Sequence, residues 1–207
     1  MRDVETVQMV VLQTYSSLEM ENAPLQTSNS ASSAAHVKEP VSTMPSREDS
    51  KQDCSSQRNI LLGVGNPIRG QDAVGLYGAD LISEMGDPKW TAIRAEMTPE
   101  NFTSVIRSIN PSELVILDAA DMGLKPGEAR IIPREKMGVM HFSTHAIPLS
   151  VFMDIVEQSA GRTYLLGIQV EKEQTALGME LPDYARDWVK RVVTDLVTSG
   201  LQIFQSL

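Results

Sequence analysis

Three side chains that can ligate a metal ion follow predicted strands in this sequence. Asp72 comes after the turn behind the first strand, Asp118 ends the run LVILD, and His145 lies in HFSTHAIPL ahead of a predicted helix. Ligands of an open α/β sheet bind outside the carboxyl ends of its strands, so residues just past the strands are expected to meet there. Two carboxylates and an imidazole suit zinc or nickel and leave a coordination position for a substrate. The pattern predicts an open metal site.

Each of these residues also has an ordinary structural explanation. Asp72 can cap a helix that begins at Ala73, and Asp118 can accept hydrogen bonds in the turn AADMG. His145 can be a hydrogen-bonded loop histidine, and His141 is a rival for the histidine position. The prediction therefore depends on the three residues sharing one location.

A glycine-rich turn, GVGNPIRGQDAVG, links the first predicted strand to a helical pattern. A dinucleotide-binding turn would need a third glycine where Ile68 stands, and Pro67 removes a backbone N–H from the turn. The sequence contains no P-loop, no G-x-S-x-G turn and no H-E-x-x-H helix. The familiar nucleotide and protease signatures are absent, and a nucleotide-binding α/β enzyme is kept only as an alternative.

Short apolar runs alternate with helical spacing from residue 58 onward, which is typical of a parallel sheet covered by helices. The runs NILLGVG, WTAIRAE, LVILDA, EARIIP and TYLLGIQV predict five strands. Helical spacing covers 74–85, 99–108, 148–159 and 182–204, with Thr98 as a candidate cap. We expect an α/β protein, a three-layer α/β/α sandwich with a mostly parallel central sheet of about five strands.

The first 57 residues have a different composition. Between residues 22 and 57 the chain is rich in Ser, Ala, Thr and Pro and has few large apolar side chains. Such a segment buries too little surface to offset its ordering entropy. We expect a disordered N-terminal arm at 1–57 and a folded domain at 58–207, and a translation start nearer Met44 is an alternative explanation of the arm.

Charge and cysteine content narrow the class of protein. The net charge is −9 and the isoelectric point is about 4.8, which disfavours binding to nucleic acid or to anionic membranes. No apolar run approaches the ~20 residues that cross a bilayer. The single cysteine, Cys54, excludes an internal disulfide. We expect a cytoplasmic monomer that binds neither nucleic acid nor membrane.

Four motifs, in this order, carry a resemblance to a known family: GVGNPIRGQDAVG, LVILDAADMGLKPGEARII, STHAIPL and LLGIQ. They resemble the nickel-iron hydrogenase maturation endopeptidases, and the likeness extends from residue 59 to about residue 197. The chain looks most like the branch that processes the large subunit of the hydrogen-evolving hydrogenase of formate hydrogenlyase. A deazaflavin-coenzyme-reducing hydrogenase is an alternative target.

The resemblance implies an endopeptidase that removes the C-terminal extension of a hydrogenase large-subunit precursor after nickel insertion. It implies that Asp72, Asp118 and His145 act at the catalytic site by contacting nickel that belongs to the substrate, and zinc or cadmium can occupy the same site. A nickel-binding maturation chaperone without peptidase activity is an alternative function.

The same resemblance assigns a purpose to the glycine turn. Gly65, Asn66 and Gly70 are expected to shape a cleft for the extended peptide, while a tight strand-to-helix connection is the alternative. The chain departs from the family pattern at Gln71, where an acidic residue is common, and at Ala73, where glycine is usual. These departures alter the charge beside the expected site.

Overall fold

The computed structural model describes residues 58–137 and 148–207, and all five predicted strands lie within them. The strands are β1 (Asn59–Val64), β2 (Trp90–Glu96), β3 (Glu113–Ala120), β4 (Ala129–Ile131) and β5 (Arg162–Gln169). The helices are α1 (Val74–Met85), α2 (Thr103–Ile109), α3 (Leu149–Val156) and α4 (Asp183–Ser199). The predicted arm, the cysteine and all three histidines lie outside the described residues, and the proposed domain boundary stays a prediction.

The strands form one sheet in the order β2-β1-β3-β5-β4. The pairs β1–β2, β1–β3 and β3–β5 are parallel, while β4 is antiparallel to β5 at the edge. Leu117 of β3 stands opposite Gly63 of β1, and Asp118 stands opposite Gly167 of β5. The predicted mostly parallel α/β sheet is confirmed.

Helices cover both faces of the sheet because the strands are apolar on both sides. One core cluster holds Leu61, Val115 and Leu117 with side chains of α1 and α4. The other holds Leu114 and Ile116 with side chains of α2 and α3. Successive strand residues point to opposite faces, which places Asp118 on the α2–α3 face with Leu114 and Ile116. The three-layer sandwich is therefore the observed architecture.

Helix ends differ from the sequence prediction in three places. The predicted helix at 99–108 is a 3₁₀ turn at Pro99–Phe102 followed by α2. Thr98 provides no side-chain cap there, so that prediction is wrong; the backbone carbonyl of Thr98 accepts the Asn101 N–H instead, at 3.2 Å. Helix α3 ends at Val156, and α4 ends where Gly200 has a φ of +76°. None of the helices described here combines the length and apolar character needed to span a membrane.

The outer edge of β4 is covered by residues 205–207. The Ile131 N–H donates to the Gln205 carbonyl at 3.0 Å, and the Leu207 N–H donates to the Ile131 carbonyl at 2.9 Å. The Lys136 ammonium donates to the Leu207 carbonyl at 2.8 Å. This segment therefore satisfies backbone groups that a three-residue edge strand would otherwise present to solvent.

Candidate active site

The buried polar side chains of the described residues lie together at the carboxyl edge of the sheet. They sit just after β1, at the end of β3 and β5, or in the turn behind β5, and each is at most 9% exposed: Asn66, Gln71, Asp72, Asp118, Gln169 and Thr175. Burying a polar group costs free energy unless it is hydrogen-bonded, so such a concentration marks a specialised region.

Asp72 lies in a 3₁₀ turn, Gly70–Ala73, directly ahead of α1. Asp72 is 3% exposed, and its backbone N–H donates to the Arg69 carbonyl at 3.0 Å. The cap position of α1 is Ala73, so Asp72 is not at the position that the capping explanation requires. The carboxylate is therefore held inside a turn at the end of β1 rather than at a helix cap.

Glycines allow this turn to pack against the strand ends. Gly65 has a φ of +139°, and a Cβ on it would lie 1.9 Å from the Asp72 carbonyl oxygen. A Cβ on Gly75, in the first turn of α1, would lie 2.1 Å from the Leu117 carbonyl oxygen and 2.2 Å from that of Val64. The start of α1 thus touches both β1 and β3, which brings the Asp72 turn to the strand that ends in aspartate.

Asp118 is the buried acid of β3, near the carboxyl end of the strand, and is 6% exposed. Its Oδ1 accepts the Ala119 N–H at 2.9 Å, a local bond of the kind that the turn explanation predicted, although the residue belongs to the strand. It directly follows Leu117, against whose carbonyl the start of α1 packs. Asp72 and Asp118 therefore lie at the same corner of the sheet, on neighbouring strand ends.

The third predicted ligand, His145, lies outside the described residues, as does its rival His141. Within 58–137 and 148–207 no group of three or more His, Cys, Asp or Glu side chains is arranged to hold a metal ion. The structure thus brings two of the three predicted ligands together, and the metal-ligand assignment stays a prediction.

The other predicted turn residues make internal contacts. A Cβ on Gly70 would lie 2.2 Å from the Gln174 carbonyl oxygen. The Asn66 amide donates to the Met97 sulfur at 3.1 Å, and its Oδ1 accepts the Ile68 N–H at 3.1 Å. These contacts support the tight strand-to-helix connection, and the cleft role stays a prediction. The glycines at 65 and 70 face carbonyl oxygens, an arrangement that disfavours a phosphate.

A hydrogen-bonded cluster beside Asp72 was not predicted from the sequence. Gln71, which is fully buried, contacts Glu171 and Tyr184, 100 and 113 residues further along the chain. Desolvation, followed by the hydrogen bond and negative charge of Glu171, raises the pKa of the Tyr184 phenol. The tyrosine therefore stays a neutral hydroxyl that donates to Glu171, at 2.9 Å.

Gln169 organises the loop behind β3 and was also missed, although the motif LLGIQ contains it. Its Oε1 accepts the N–H groups of Met122 and Leu124 at 2.6 and 3.1 Å. Its Nε2 donates to the Val170 carbonyl at 2.8 Å and to Asp121 at 3.3 Å. One side chain at the end of β5 thus fixes the path of the chain that leaves Asp118.

Two buried carboxylates at neighbouring strand ends can serve as oxygen ligands to a divalent ion or as a base toward water. Both acids could be predicted from the sequence because they lie at the ends of predicted strands. Gln71 and Gln169 could not be predicted in this way, because a neutral amide forms hydrogen bonds in many settings and does not by itself indicate a metal ligand or a base.

Comparison with known proteins identifies the family. A family model described as hydrogenase maturation protease matches residues 80–199, more than half of the chain. The hydrogenase 3 maturation protease of Escherichia coli K12 is 38% identical over 112 residues, which cover 54% of this chain and 72% of that protein.

Solved structures agree with this assignment. A crystal structure of a hydrogenase 3 maturation protease is 31% identical, with a TM-score of 0.65, and the match covers 74% of this chain and 99% of that one. The NiFe hydrogenase maturation protease HycI from Thermococcus kodakarensis is 26% identical, with a TM-score of 0.61, over 70% of this chain and 93% of that one. This chain, with its acid pair at the carboxyl edge of a five-stranded sheet, belongs to the hydrogenase maturation proteases and is a peptidase.

Proposed function

We propose that this protein removes the C-terminal extension of a nickel-iron hydrogenase large-subunit precursor after nickel has been inserted. The observation that carries the proposal is the buried pair Asp72 and Asp118 at one corner of the sheet, in a member of this family. The relatives are named for hydrogenase maturation, which supports a hydrogenase precursor as the substrate.

In this proposal nickel arrives as part of the substrate, held there by cysteine thiolates. Asp72 and Asp118 contribute carboxylate oxygens and His145 contributes an imidazole nitrogen, a donor set that suits a borderline divalent ion. An unmetallated precursor lacks this central contact. The protease then selects the nickel-loaded precursor because it binds that form more tightly than the unmetallated one, with the metal as the recognition element.

The orientation of α3 supports the proposal that His145 belongs to the nickel-contacting site. After α3 ends, the Gly161 N–H donates to the Pro111 carbonyl just ahead of β3, at 2.8 Å. The helix therefore ends at the amino edge of the sheet and begins toward the carboxyl edge, on the face to which Asp118 points. His145 precedes Pro148 by three residues, a chain length that spans at most about 10 Å.

Cleavage itself is a hydrolysis. The oxygen of a water molecule adds to the scissile carbonyl carbon, the C–N bond breaks, and the proton given up by water passes to the departing amine. The aspartate that is less committed to nickel, at position 72 or 118, accepts this proton from the water and returns it to the departing amine. Nickel polarises the carbonyl or orients the water, both of which are established roles of bound metal ions.

The test compares a nickel-loaded precursor with a nickel-free one, using the full chain and following release of the C-terminal peptide. The wild-type protein is expected to cut only the loaded precursor, and His145→Ala to lose most of this activity. Equal cleavage of the nickel-free precursor would remove the recognition role of the metal. Tight binding of nickel alone without peptide release would favour a chaperone.

Added zinc or cadmium gives a second readout of the same site. Either ion should inhibit cleavage by the wild-type chain by occupying the carboxylates and the imidazole. Because His145→Ala loses most of its activity, the site is tested in that variant by direct binding of the metal, whose affinity should fall. A wild-type chain that binds neither ion, or an affinity that is the same in Asp72→Asn as in the wild type, would contradict the donor set.

The proposal also includes a cytoplasmic monomer that works without nucleic acid or membrane. The net charge of −9 and the single cysteine support this, because an acidic surface repels phosphate and a reducing compartment needs no disulfide. Light scattering of the purified chain tests the monomer, and fractionation of cells tests the location.

A further inference from the structure

Both polar atoms of the Gln71 side chain take part in hydrogen bonds. Its Oε1 accepts the Glu171 N–H at 2.7 Å, and its Nε2 donates to the Glu171 carboxylate and to the Tyr184 hydroxyl, each at 2.9 Å. The Tyr184 hydroxyl donates in turn to the same Glu171 oxygen at 2.9 Å. The three side chains form a closed cluster, here named the Gln71 clamp.

The backbone of Gln71 connects this cluster to Asp72 and to α1. Its carbonyl accepts the Val74 N–H, so Asp72 lies between the clamp and the first residue of the helix. The two residues ahead of Gln71 are held by the segment that follows Glu171. Arg69 Nε donates to the Thr175 carbonyl at 3.0 Å, and the Gly70 N–H donates to the Met179 carbonyl at 2.9 Å. Movement of the clamp would therefore move the turn that carries Asp72.

The clamp requires an amide at position 71 for a reason of charge. A carboxylate there would have no hydrogen to donate, and it would face Glu171 across about 3 Å, the separation of the present hydrogen bond. Position 71 is fully buried, where repulsion between like charges is weakly screened by water. The amide at 71 is thus matched to the acid at 171.

We propose that Gln71 is a positioning residue for peptide cleavage, which it supports by holding Asp72 in place through Glu171 and Tyr184. The inference rests on the proposed function, because it concerns the geometry of the same site. Gln71 does not contact the precursor in this scheme; it acts through its neighbour. Displacement of a site group by ~1 Å can cost about 100-fold in rate.

The test uses Gln71→Glu, Glu171→Gln and the double variant in the full chain, with the nickel-loaded precursor. The kcat is measured well below the Tm of each variant and expressed per folded molecule. Gln71→Glu should lower kcat by at least about 10-fold. The double variant restores one amide and one carboxylate and should recover most of that loss, because coupled neighbours are not additive. Glu171→Gln alone retains an acceptor and should lower kcat less than Gln71→Glu does.

Glu173→Gln is the matched control, since Glu173 is an exposed acid in the 3₁₀ turn Lys172–Thr175 that directly follows Glu171, and its change should leave kcat unchanged. If Gln71→Glu does not fold, Tyr184→Phe replaces it, because Tyr184 is 45% exposed and its ring contact with Trp188 survives. That variant should lower kcat by a smaller factor, and an unchanged kcat would contradict the clamp.

The outcomes separate the clamp from the proposed function. If the wild-type chain cuts the precursor while folded Gln71→Glu cuts it equally fast, the clamp is wrong and the proposed function stands. The positioning role is also overturned if the loss of activity in Gln71→Glu is fully explained by its unfolded fraction. A double variant whose kcat is as low as that of Gln71→Glu overturns it as well. If the wild-type chain leaves the loaded precursor intact, both proposals fail together.

Discussion

The two ends of the central sheet satisfy their polar groups in different ways. At the amino end, backbone groups pair with backbone groups, as where the Asn59 N–H donates to the Lys89 carbonyl and the Ser112 N–H donates to the Arg58 carbonyl. The ion pair of Arg162 and Glu113 lies there on the surface. At the carboxyl end, the described residues bury six polar side chains.

This difference shows that the carboxyl end buries polar side chains at a cost in free energy that the amino end avoids. At the amino end the strand connections close with backbone hydrogen bonds and with side chains near the surface, such as Asp87, whose Oδ1 accepts the Lys89 N–H at 2.9 Å. Buried carboxylates and amides add a desolvation cost that structure alone does not require. We therefore infer that the carboxyl end has been selected for chemistry, and four comparisons of variants test that inference.

The largest expected effect concerns two acids on one strand. Asp118→Asn at the carboxyl end of β3 should lower cleavage of the nickel-loaded precursor by about 100-fold or more, because it removes a ligand or base from the site. Glu113→Gln at the amino end of the same strand should leave the rate unchanged. Peptide release with both folded variants checks this, and equal rates would remove the contrast between the ends.

A large loss of stability is expected from Gly65→Ala. The new Cβ would lie 1.9 Å from the Asp72 carbonyl, at a φ of +139° that suits only glycine. We expect the free energy of unfolding to fall by about 3 kcal/mol. The control is Gly86→Ala, whose φ of +63° is also positive but whose Cβ would meet nothing within 4 Å.

Chemical denaturation of both glycine variants measures the difference. Gly86→Ala should cost about 1 kcal/mol, the usual penalty of a left-handed backbone for a residue with a Cβ. If the two variants lose the same stability, the close approach between Gly65 and the Asp72 turn does not hold the corner together.

An intermediate effect is expected from Gln169→Leu. The change removes the acceptor of two backbone N–H groups, those of Met122 and Leu124, and should lower the free energy of unfolding by about 2 kcal/mol. The exposed Gln205→Leu is the matched control and should change stability by less than about 0.5 kcal/mol. Faster hydrogen exchange confined to 121–124 in Gln169→Leu would identify the loop as the affected region.

The smallest effect belongs to the ion pair at the amino end. Its guanidinium and carboxylate are 2.8 Å apart, and the Arg162 side chain is 69% exposed. Glu113→Gln should therefore lower the free energy of unfolding by about 0.5 kcal/mol or less, with the difference shrinking at high salt. A loss above about 2 kcal/mol would show that the amino end also depends on polar side chains.

Much of the fold was predictable because strands buried on both faces are nearly continuous apolar runs. Helix α1 was predicted at its observed bounds, since its apolar spacing and the preceding turn agree. The helix at 99–108 was less accurate because the first turn after Pro99 is 3₁₀, a distinction that apolar spacing does not encode. The β4 prediction was also longer than the observed three residues.

The site was predictable only where residue type and strand position coincide. Asp72 and Asp118 satisfy both conditions and lie at one corner of the sheet, while their role as metal ligands, together with His145, stays a prediction. Gln71 drew attention only as a departure from a family pattern, and its role depends on Glu171, a partner 100 residues away. Contacts of this range are set by packing of whole elements, so no local pattern predicts them.

The pairing of residues 205–207 with the outer side of β4 bears on how an extended peptide can approach this enzyme. Many proteins bind such peptides by adding them as a further strand to an open sheet edge. Here the chain itself already fills that place beside Ile131, with hydrogen bonds of 2.9 and 3.0 Å. Strand addition at this side would therefore first require the enzyme to release its own C-terminal segment from β4.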